Sequence, residues 1–450
     1  MLAPTVDTNI LSVAFRDRSL CTRGGTCVGI CPTGAIQIGD DQYPVLDSEK
    51  CTSCGKCGRA CPGGEVNYHE LTQSTFGDIP PANDFDGHVE KSFTAYAENP
   101  TMRSGGAGGG VVTALLHDML KHGDVDGCIV TRMRADKPWL GEPFIARNTT
   151  DLLLSQGSRY SVIPLNAIFR EIRSSVGRFA IAALPCQVHG YRKAIEEDSV
   201  LRERIVVVIG LFCGGALEPY VVEELLQTKG IRLGDIQDFQ FRGGSWPGKM
   251  RAVMRNNEIR DLHHSNYKDG AYNYFTGMYM AKRCQTCIDG SCEFSDLSIS
   301  DVWTRDSNGD YKFTAHSRVL CRTALGISVA TRAAERGTLK IREVTGDTDH
   351  QTHRFQTRRK GLNAPLRVAR WARSGIPVPL YDRPTPEATV KERCTEYAVS
   401  SCLRATQFHS IRYPLMRFLT SQYAKPLIQL RMWRKKRKYR RNAIRRLRPT

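Results

Sequence analysis

The 450-residue sequence has no apolar run long enough to cross a bilayer. The longest, "IVVVIGLFCGGAL" from Ile205, is too short and ends in Gly-Gly. Its first twenty residues, "MLAPTVDTNILSVAFRDRSL", contain no apolar stretch of signal-peptide length, so no secretory leader is read there. The dinucleotide fingerprint G-x-G-x-x-G is absent, which removes the standard Rossmann reading. Acid is missing from residues 431–450, where eleven Lys or Arg account for most of the net +18 and leave +7 for everything before them. What is plentiful is cysteine. Seven of the sixteen fall in the 41 residues from Cys21 to Cys61, a grouping that points to metal rather than disulfides and to a reducing, cytoplasmic setting.

Composition is otherwise that of a globular protein of two or three units. Residues 1–72 form the Cys-rich unit, with "AIQI" and "YPVL" as short strands about a "GDD" turn. Residues 73–90, with Pro80-Pro81, are expected to link it to a core at 91–345, divided into 91–165 and 166–345. In that core "VVTALLHDMLKHG" and "LEPYVVEELLQTKG" have helical patterns, while "VDGCIVTRM", "RFAIAALP" and "RIVVVIGLF" are buried strand candidates. The expected architecture is an α/β core with a largely parallel sheet, preceded by a small α+β dicluster ferredoxin-like domain and followed by an extension, 346–450, with a basic helical tail at 431–450.

"CTSCGKCGRACP", Cys51 to Pro62, is the bacterial ferredoxin run, in which three cysteines hold one iron–sulfur cube and the fourth reaches the other. That rule assigns Cys51, Cys54, Cys57 and Cys31 to one [4Fe-4S] cluster. A zinc ribbon is the alternative, and it does not usually carry the trailing Cys-Pro. "CTRGGTCVGICP", from Cys21 to Pro32, aligns with the second run but has Gly24 where that run has Cys54. The other site therefore has Cys21, Cys27 and Cys61. Three thiolates suit a [3Fe-4S] cluster; a four-iron cube with an outside ligand and an empty site stay open.

Cys186 and Cys213 each follow a predicted strand, at the edge where α/β sheets place ligands, and "KRCQTCIDG" adds Cys284 and Cys287. On spacing alone these are either four ligands of a third cluster or ordinary buried residues. Cys128, Cys321, Cys394 and Cys402 have no such setting, and Cys292 reads as core or loop. "MRSGGAGGGVVTALL" places a glycine run before a helix, where backbone N–H groups could approach a phosphate; a flexible turn explains it equally well. Iron–sulfur carriers move single electrons, so a two-electron substrate calls for a converter such as flavin.

"SGGAGGGVVTALL", "GSRYSVIPL", "LPCQVHGYRKA", "IGLFCGG", "FRGGSWPG" and "RCQTCIDGSCEFSDLSISDVW" occur in that order. Together they resemble the family of coenzyme F420 hydrogenase/dehydrogenase beta subunits, whose relatives include 7-hydroxymethyl chlorophyll a reductase. The likeness spans residues 15–330. It implies a ferredoxin-like unit joined to a core holding FAD and a four-iron cluster, with Cys186, Cys213, Cys284 and Cys287 as ligands. It also implies a flavin site in the loop from Ser104 to Thr113, through Ser104, Gly105, Gly106, Gly108, Gly109, Gly110 and Thr113. Two departures stand out: Gly108-Gly109-Gly110 replaces the family's Ser-Gly-Gly, and Gly24 leaves a corner without sulfur.

Remaining candidates have bland counterparts. Trp246 could stack on a flavin or substrate ring or simply anchor a turn. Asp289, Asp296 and Asp301 could orient cofactor groups or cap loops. Arg103, Arg159 and Lys282 could pair phosphate, and His189 and His264 could move protons or be structural. The tail, with Trp433, Tyr439 and Ile444, fits an anionic membrane surface or an acidic partner; nucleic acid is set aside because no nucleic-acid-binding fold accompanies it. The expectation is a cytoplasmic iron–sulfur flavoprotein oxidoreductase, peripheral to the inner membrane surface. Electrons would pass between a ferredoxin-like or hydrogenase-like donor, or a deazaflavin of the coenzyme F420 type, and a small organic substrate. No catalytic acid or base is named. The rival is a non-catalytic electron-transfer or scaffold subunit of a larger redox complex.

Overall fold

The structure is a computed structural model that describes residues 7–80, 82, 84–268, 272–306, 308–344 and 357–446, without the side chains of 272–274 and 439–446. The two Cys-rich runs fold alike. Each wraps a loop, turns through a left-handed glycine (Gly25, φ 84°; Gly55, φ 71°), and enters a short helix, Thr26–Ile30 or Lys56–Arg59, that carries the equivalent thiol, Cys27 or Cys57. Between them β1 (Ile36–Ile38) and β2 (Pro44–Leu46) pair as an antiparallel hairpin, with Ile36 opposite Leu46. A short β3 (Glu65–Val66) follows. The helix Tyr68–Phe76, capped by Asn67, runs past the expected boundary at 72, and the chain leaves it at Gly77 (φ 83°).

The core is one eight-stranded sheet. Its strands are β4 (Lys91–Ala97), β5 (Gly127–Met133), β6 (Gly141–Ala146), β7 (Phe179–Ala183) and β8 (Ile205–Leu211). After an excursion the chain returns as β12 (Leu297–Asp301), β13 (Ser317–Cys321) and β14 (Leu339–Glu343). The spatial order is β14-β4-β13-β12-β8-β7-β5-β6. The four central strands β12-β8-β7-β5 are parallel, and both flanks are antiparallel. The parallel character expected from strand–helix alternation thus belongs to the centre. There β8 reads "IVVVIGL", the near-continuous β-branched run of a strand covered on both faces.

Alternation along β7 explains how the units join. Phe179, Ile181 and Ala183 face a cluster that contains Cys27, Val28 and Ile30 of the first unit, while Ala180 faces the opposite cluster with Ala114 and Leu115 of the helix Val111–Lys121. The ferredoxin-like unit therefore shares a hydrophobic core with the sheet. The fit is close: a Cβ at Gly29 would lie 2.1 Å from Asn166 O and 2.8 Å from Phe169 Cβ. A bidentate pair of buried Arg23 with half-buried Glu218, at 2.8 and 2.7 Å, adds a charged tie.

The excursion was not foreseen. It contains β9 (Ile236–Gly243), β10 (Lys249–Met254) and β11 (Ile259–Asp261), an antiparallel sheet in the order β11-β10-β9, packed with the helix Tyr220–Thr228 around Leu225, Phe239 and Phe275. Beyond the core the chain is helical at Ala364–Arg373, Val390–Ala405, His409–Thr420 and Lys425–Arg446, with β15 (Leu380–Tyr381) pairing in parallel with β3. No helix among the described residues is long and apolar enough to cross a membrane.

Gly29→Ala is expected to weaken docking of the first unit by ~1–3 kcal/mol, the usual effect of overpacking. On heating, visible absorbance from that unit would then be lost before the core unfolds; loss in step with the parent protein would contradict the close fit.

Candidate functional site

The thiols gather in three places. Cys57 lies within electrostatic reach of Cys31, Cys54 and Cys51: burial pushes it up to about 11, the N–H of Ser12 opposes this, and the three neighbouring thiolates add to the rise. Cys31, with burial working against its ionisation, is held below the ordinary thiol value by the hydroxyl and N–H of Thr33 and the N–H groups of Ala35 and Ile36. Cys54 is exposed, so this group lies nearest the surface.

Cys21, Cys27 and Cys61 form the second group. Burial pushes Cys21 up to about 11, the Arg23 N–H opposes it, and Cys61 adds to it. Burial, then Cys61 and Cys21, hold Cys27 well above its ordinary value. Donors converge on this sulfur set: Ser12 Oγ and Gly63 N on Cys61 Sγ, and Arg23 N on Cys21 Sγ, each at 3.4 Å. At the corner without sulfur, a Cβ built on Gly24 would meet only ordinary contacts, Thr22 Oγ1 at 3.4 Å and Gln187 Cγ at 3.6 Å.

Cys186, Cys213, Cys284 and Cys287 form the third group. Cys186, on the first turn of the helix Pro185–Glu197, stands well above its ordinary value through burial and then through the charges of Cys284, Cys287 and Cys213. Burial pushes Cys213 up to about 12, with Lys360 opposing and Cys284 and Cys287 adding. Ala216 N donates to Cys284 Sγ at 3.4 Å. Arg283 joins this group to the second, since its guanidinium donates to Gly63 O (3.0 Å) and Pro62 O (3.4 Å), just past Cys61, while lying beside the thiols of Cys287 and Cys186.

All sixteen cysteines are free. A zinc ion would draw thiolates to about 2.3 Å. Among the described residues, no three His, Cys, Asp or Glu side chains are placed to hold a single metal ion. The buried donors and cations instead suit a body carrying negative charge. Burial disfavours the ammonium of Lys360, which is 1% exposed, yet the charges of Cys287, Cys213 and Cys284 carry it above its ordinary value. An isolated buried ammonium would cost several kcal/mol. The residues fit an anionic cluster.

A cleft adjoins the third group. It encloses about 1720 Å³, counting its open mouth, and Cys213 to Ala216 form part of its wall. The glycine loop contributes Gly106, Gly108 and Gly110, and Thr113 follows from the helix that starts at Val111. Gly110 (φ 69°) sets the entry to that helix, and a Cβ on Gly108 would collide with Asp301 Oδ1 at 1.9 Å. Ser104, Gly105 and Gly109 do not line the cleft. Ser104 is exposed and its hydroxyl turns back to Thr101 O, because the chain there is still in the preceding helix, Pro100–Gly105.

Arg159 lines the cleft; burial pulls it down to about 10 and its Nε has no hydrogen-bond partner. Arg103 instead covers the Tyr96 ring, and Lys282 is exposed outside the cleft. Trp246 stacks behind Trp303 (5.2 Å, 24°), and Trp303, not Trp246, reaches the wall. Arg242 spans Tyr267 and Trp303 and pairs with Asp301 at 2.8 Å; burial opposes its charge, but Asp301 and the neighbouring phenols hold it above its ordinary value. Asp289 pairs with His189 (3.0 Å) and accepts from the N–H groups of Ser291, Cys292 and Glu293, shaping the turn after Cys287. Asp296 ties Val208 N to Thr323 Oγ1. His264 does not line the cleft. Cys128, Cys292 and Cys321 are buried, while Cys394 and Cys402 are exposed.

Models of the coenzyme F420 hydrogenase/dehydrogenase beta subunit match in tandem, the N-terminal part over residues 92–170 and the C-terminal part over 176–347. A 4Fe-4S dicluster domain matches residues 14–62. The chain belongs to the family of coenzyme F420 hydrogenase/dehydrogenase beta subunits. Within or near this family, a coenzyme F420-dependent sulfite reductase of Methanocaldococcus jannaschii is 24% identical over 343 residues, covering 73% of this chain and 48% of that protein. A component of the F(420)H(2) dehydrogenase of Methanosarcina mazei is 25% identical over 302 residues, 64% of this chain and 77% of the relative. The chain therefore spans about half the length of the first relative, 48%, and more of the second. A chain of the F420-reducing [NiFe] hydrogenase complex from Methanosarcina barkeri shares the fold, with a TM-score of 0.52 and 20% identity over 67% of this chain and 98% of that one.

Sequence reasoning missed Lys360, Arg283, Ser12 and Trp303. Trp303 stands two residues past β12, where the strand-end rule applied to the two cysteines would have found it. Lys360 follows Cys287 by 73 residues, in a segment beyond the matched family models, and carries no local signal.

Proposed function

We propose that the chain is an iron–sulfur flavoprotein oxidoreductase in which the three thiol groups hold clusters in series and the cleft holds FAD. The wall shared by the cleft and the third thiol group, Cys213 to Ala216, is the observation that carries this reading. Exposed Cys54 marks the end at which a redox protein would exchange electrons. Arg283 and Arg23 bridge the second and third groups, keeping water out and compensating thiolate charge between them. The glycine loop, the N-terminus of the helix Val111–Lys121 and Arg159 would hold the diphosphate. Bound flavin supplies the conversion between one-electron and two-electron transfer. Trp303, Tyr267 and Arg242 give the cleft a rigid wall against which a substrate ring could lie. The relatives' names, which specify coenzyme F420, support a deazaflavin as hydride partner. A carrier without catalysis would have no need of a cleft lined by a glycine loop, Arg159 and an aromatic wall beside its innermost group.

The test is anaerobic purification with cofactor extraction, then a screen of reduced ferredoxin, reduced deazaflavin and organic oxidants against the bound flavin. About one FAD per chain, bleached by one reductant and restored by one oxidant, is expected; clusters without flavin would overturn the reading.

We assign a three-iron cluster to Cys21, Cys27 and Cys61. Since a side chain fits at position 24, Gly24→Cys is expected to raise iron by about one per chain and to replace a three-iron with a four-iron spectroscopic signature. Unchanged iron would contradict the assignment.

Lys360 is proposed to raise the reduction potential of the third cluster. Lys360→Met should shift that midpoint negative by roughly 60 mV or more, one tenfold step in a one-electron equilibrium, with iron content unchanged; no shift would place its charge elsewhere.

A further inference from the structure

The last two helices present to solvent what a membrane surface would accept. Residues 397–450 contain fifteen Lys or Arg and no Asp or Glu. The helix His409–Thr420 is pinned by its inner face: Met416 is fully buried, and Arg412, itself buried, pairs with Glu224 at 2.6 Å. This anchoring forces Ile411, Leu415 and Phe418, spaced four and three apart, outward, where they are 47%, 38% and 42% exposed. The next helix, Lys425–Arg446, buries Ile428 and turns out Leu427 (57%), Leu430 (43%) and Trp433 (55%). Tyr423, at 74%, sits in the turn between them.

Apolar side chains left in water at this density mark an interaction surface. Their chemistry chooses the partner. Cations interleave with them at Arg417, Lys425, Arg431 and Arg434, and the helix then continues as a run of cations, of which Lys436 pairs with Asp310 of the core at 2.7 Å. An apolar stripe with an aromatic at its edge, surrounded by cations and lacking acids, is the pattern of a helix lying in the plane of an anionic lipid surface. The helix Lys425–Arg446 is too polar to cross the bilayer. Residues 409–446 lie outside the matched family models and contribute nothing to the lining of the cleft beside the third thiol group.

We propose that the helices His409–Thr420 and Lys425–Arg446 hold the protein to an anionic membrane surface, with Phe418, Leu427, Leu430 and Trp433 entering the headgroup region and Arg434, Arg437 and Lys438 contacting lipid phosphates. The inference does not depend on the redox assignment.

The test is co-sedimentation of the cofactor-loaded full chain with vesicles, of phosphatidylcholine alone or mixed with an equal amount of phosphatidylglycerol, at physiological salt. Binding to the mixed vesicles only, weakening as salt rises, is expected. Arg434→Gln with Lys438→Gln should lower partitioning about fivefold per charge. Phe418→Gln with Trp433→Gln should lower it at least about tenfold while cofactor content stays unchanged. If that pair loses cofactor, Leu427→Gln with Leu430→Gln is read instead. Four results would overturn the proposal: no binding to anionic vesicles, equal binding to phosphatidylcholine, binding untouched by both apolar pairs, or retention on polyglutamate without retention on vesicles.

Discussion

Sulfur that must carry negative charge while shielded from water is the constraint on which this structure turns. A buried thiolate is expensive unless charge and hydrogen bonds compensate it, and all three groups are built accordingly. N–H groups of Arg23, Gly63 and Ala216 and the hydroxyl of Ser12 reach individual sulfurs. Arg283 and Lys360 lie buried close to the third group, and Arg23 is near enough to sense Cys284. Without bound inorganic iron Arg283 and Lys360 would be left in an interior with little charge to balance them, whereas Arg23 keeps Glu218. Cofactor loading and folding are therefore coupled in this account.

Placement follows from topology. Parallel strands β7 and β8 end together, and their loops deliver Cys186 and Cys213 to one edge of the sheet, where the glycine loop and the end of β12 also arrive. The first unit is held to the same sheet by Gly29 against Asn166 and by Arg23 against Glu218, which fixes the second thiol group beside the third. Gly24, the corner without sulfur, lies at this inner position next to Gln187 rather than at the exposed group. A change of cluster there would alter the link between outside donor and core, not the point of entry.

Much of this was readable because it is local. The Cys-x2-Cys spacings, the strands ending in "PCQ" and "CGG", and the helix beginning after the glycine run each depend on neighbours in sequence, and those elements form where expected. The strand–helix alternation recovered the parallel centre of the sheet but not the antiparallel flanks, whose pairing depends on which distant strand fills each edge. The three-stranded excursion of β9 to β11 escaped because an antiparallel insertion has no signature in that alternation. At the site, the resemblance put Ser104 in the flavin loop, and Trp246 stood as either a ring-stacking residue or a turn anchor; the helix Pro100–Gly105 turns the first away, and Trp303 lies in front of the second. Lys360 reaches the thiols only through tertiary packing of a segment with no motif.

The central claim is that Cys186, Cys213, Cys284 and Cys287 enclose a cluster that abuts a flavin. Crystals of anaerobically purified protein, measured at the iron absorption edge, test it most directly. The account predicts anomalous density at three places, one of them among those four sulfurs, with flavin density in the cleft bordered by Cys213. Iron confined to the first unit, with nothing between the four core cysteines, would contradict it.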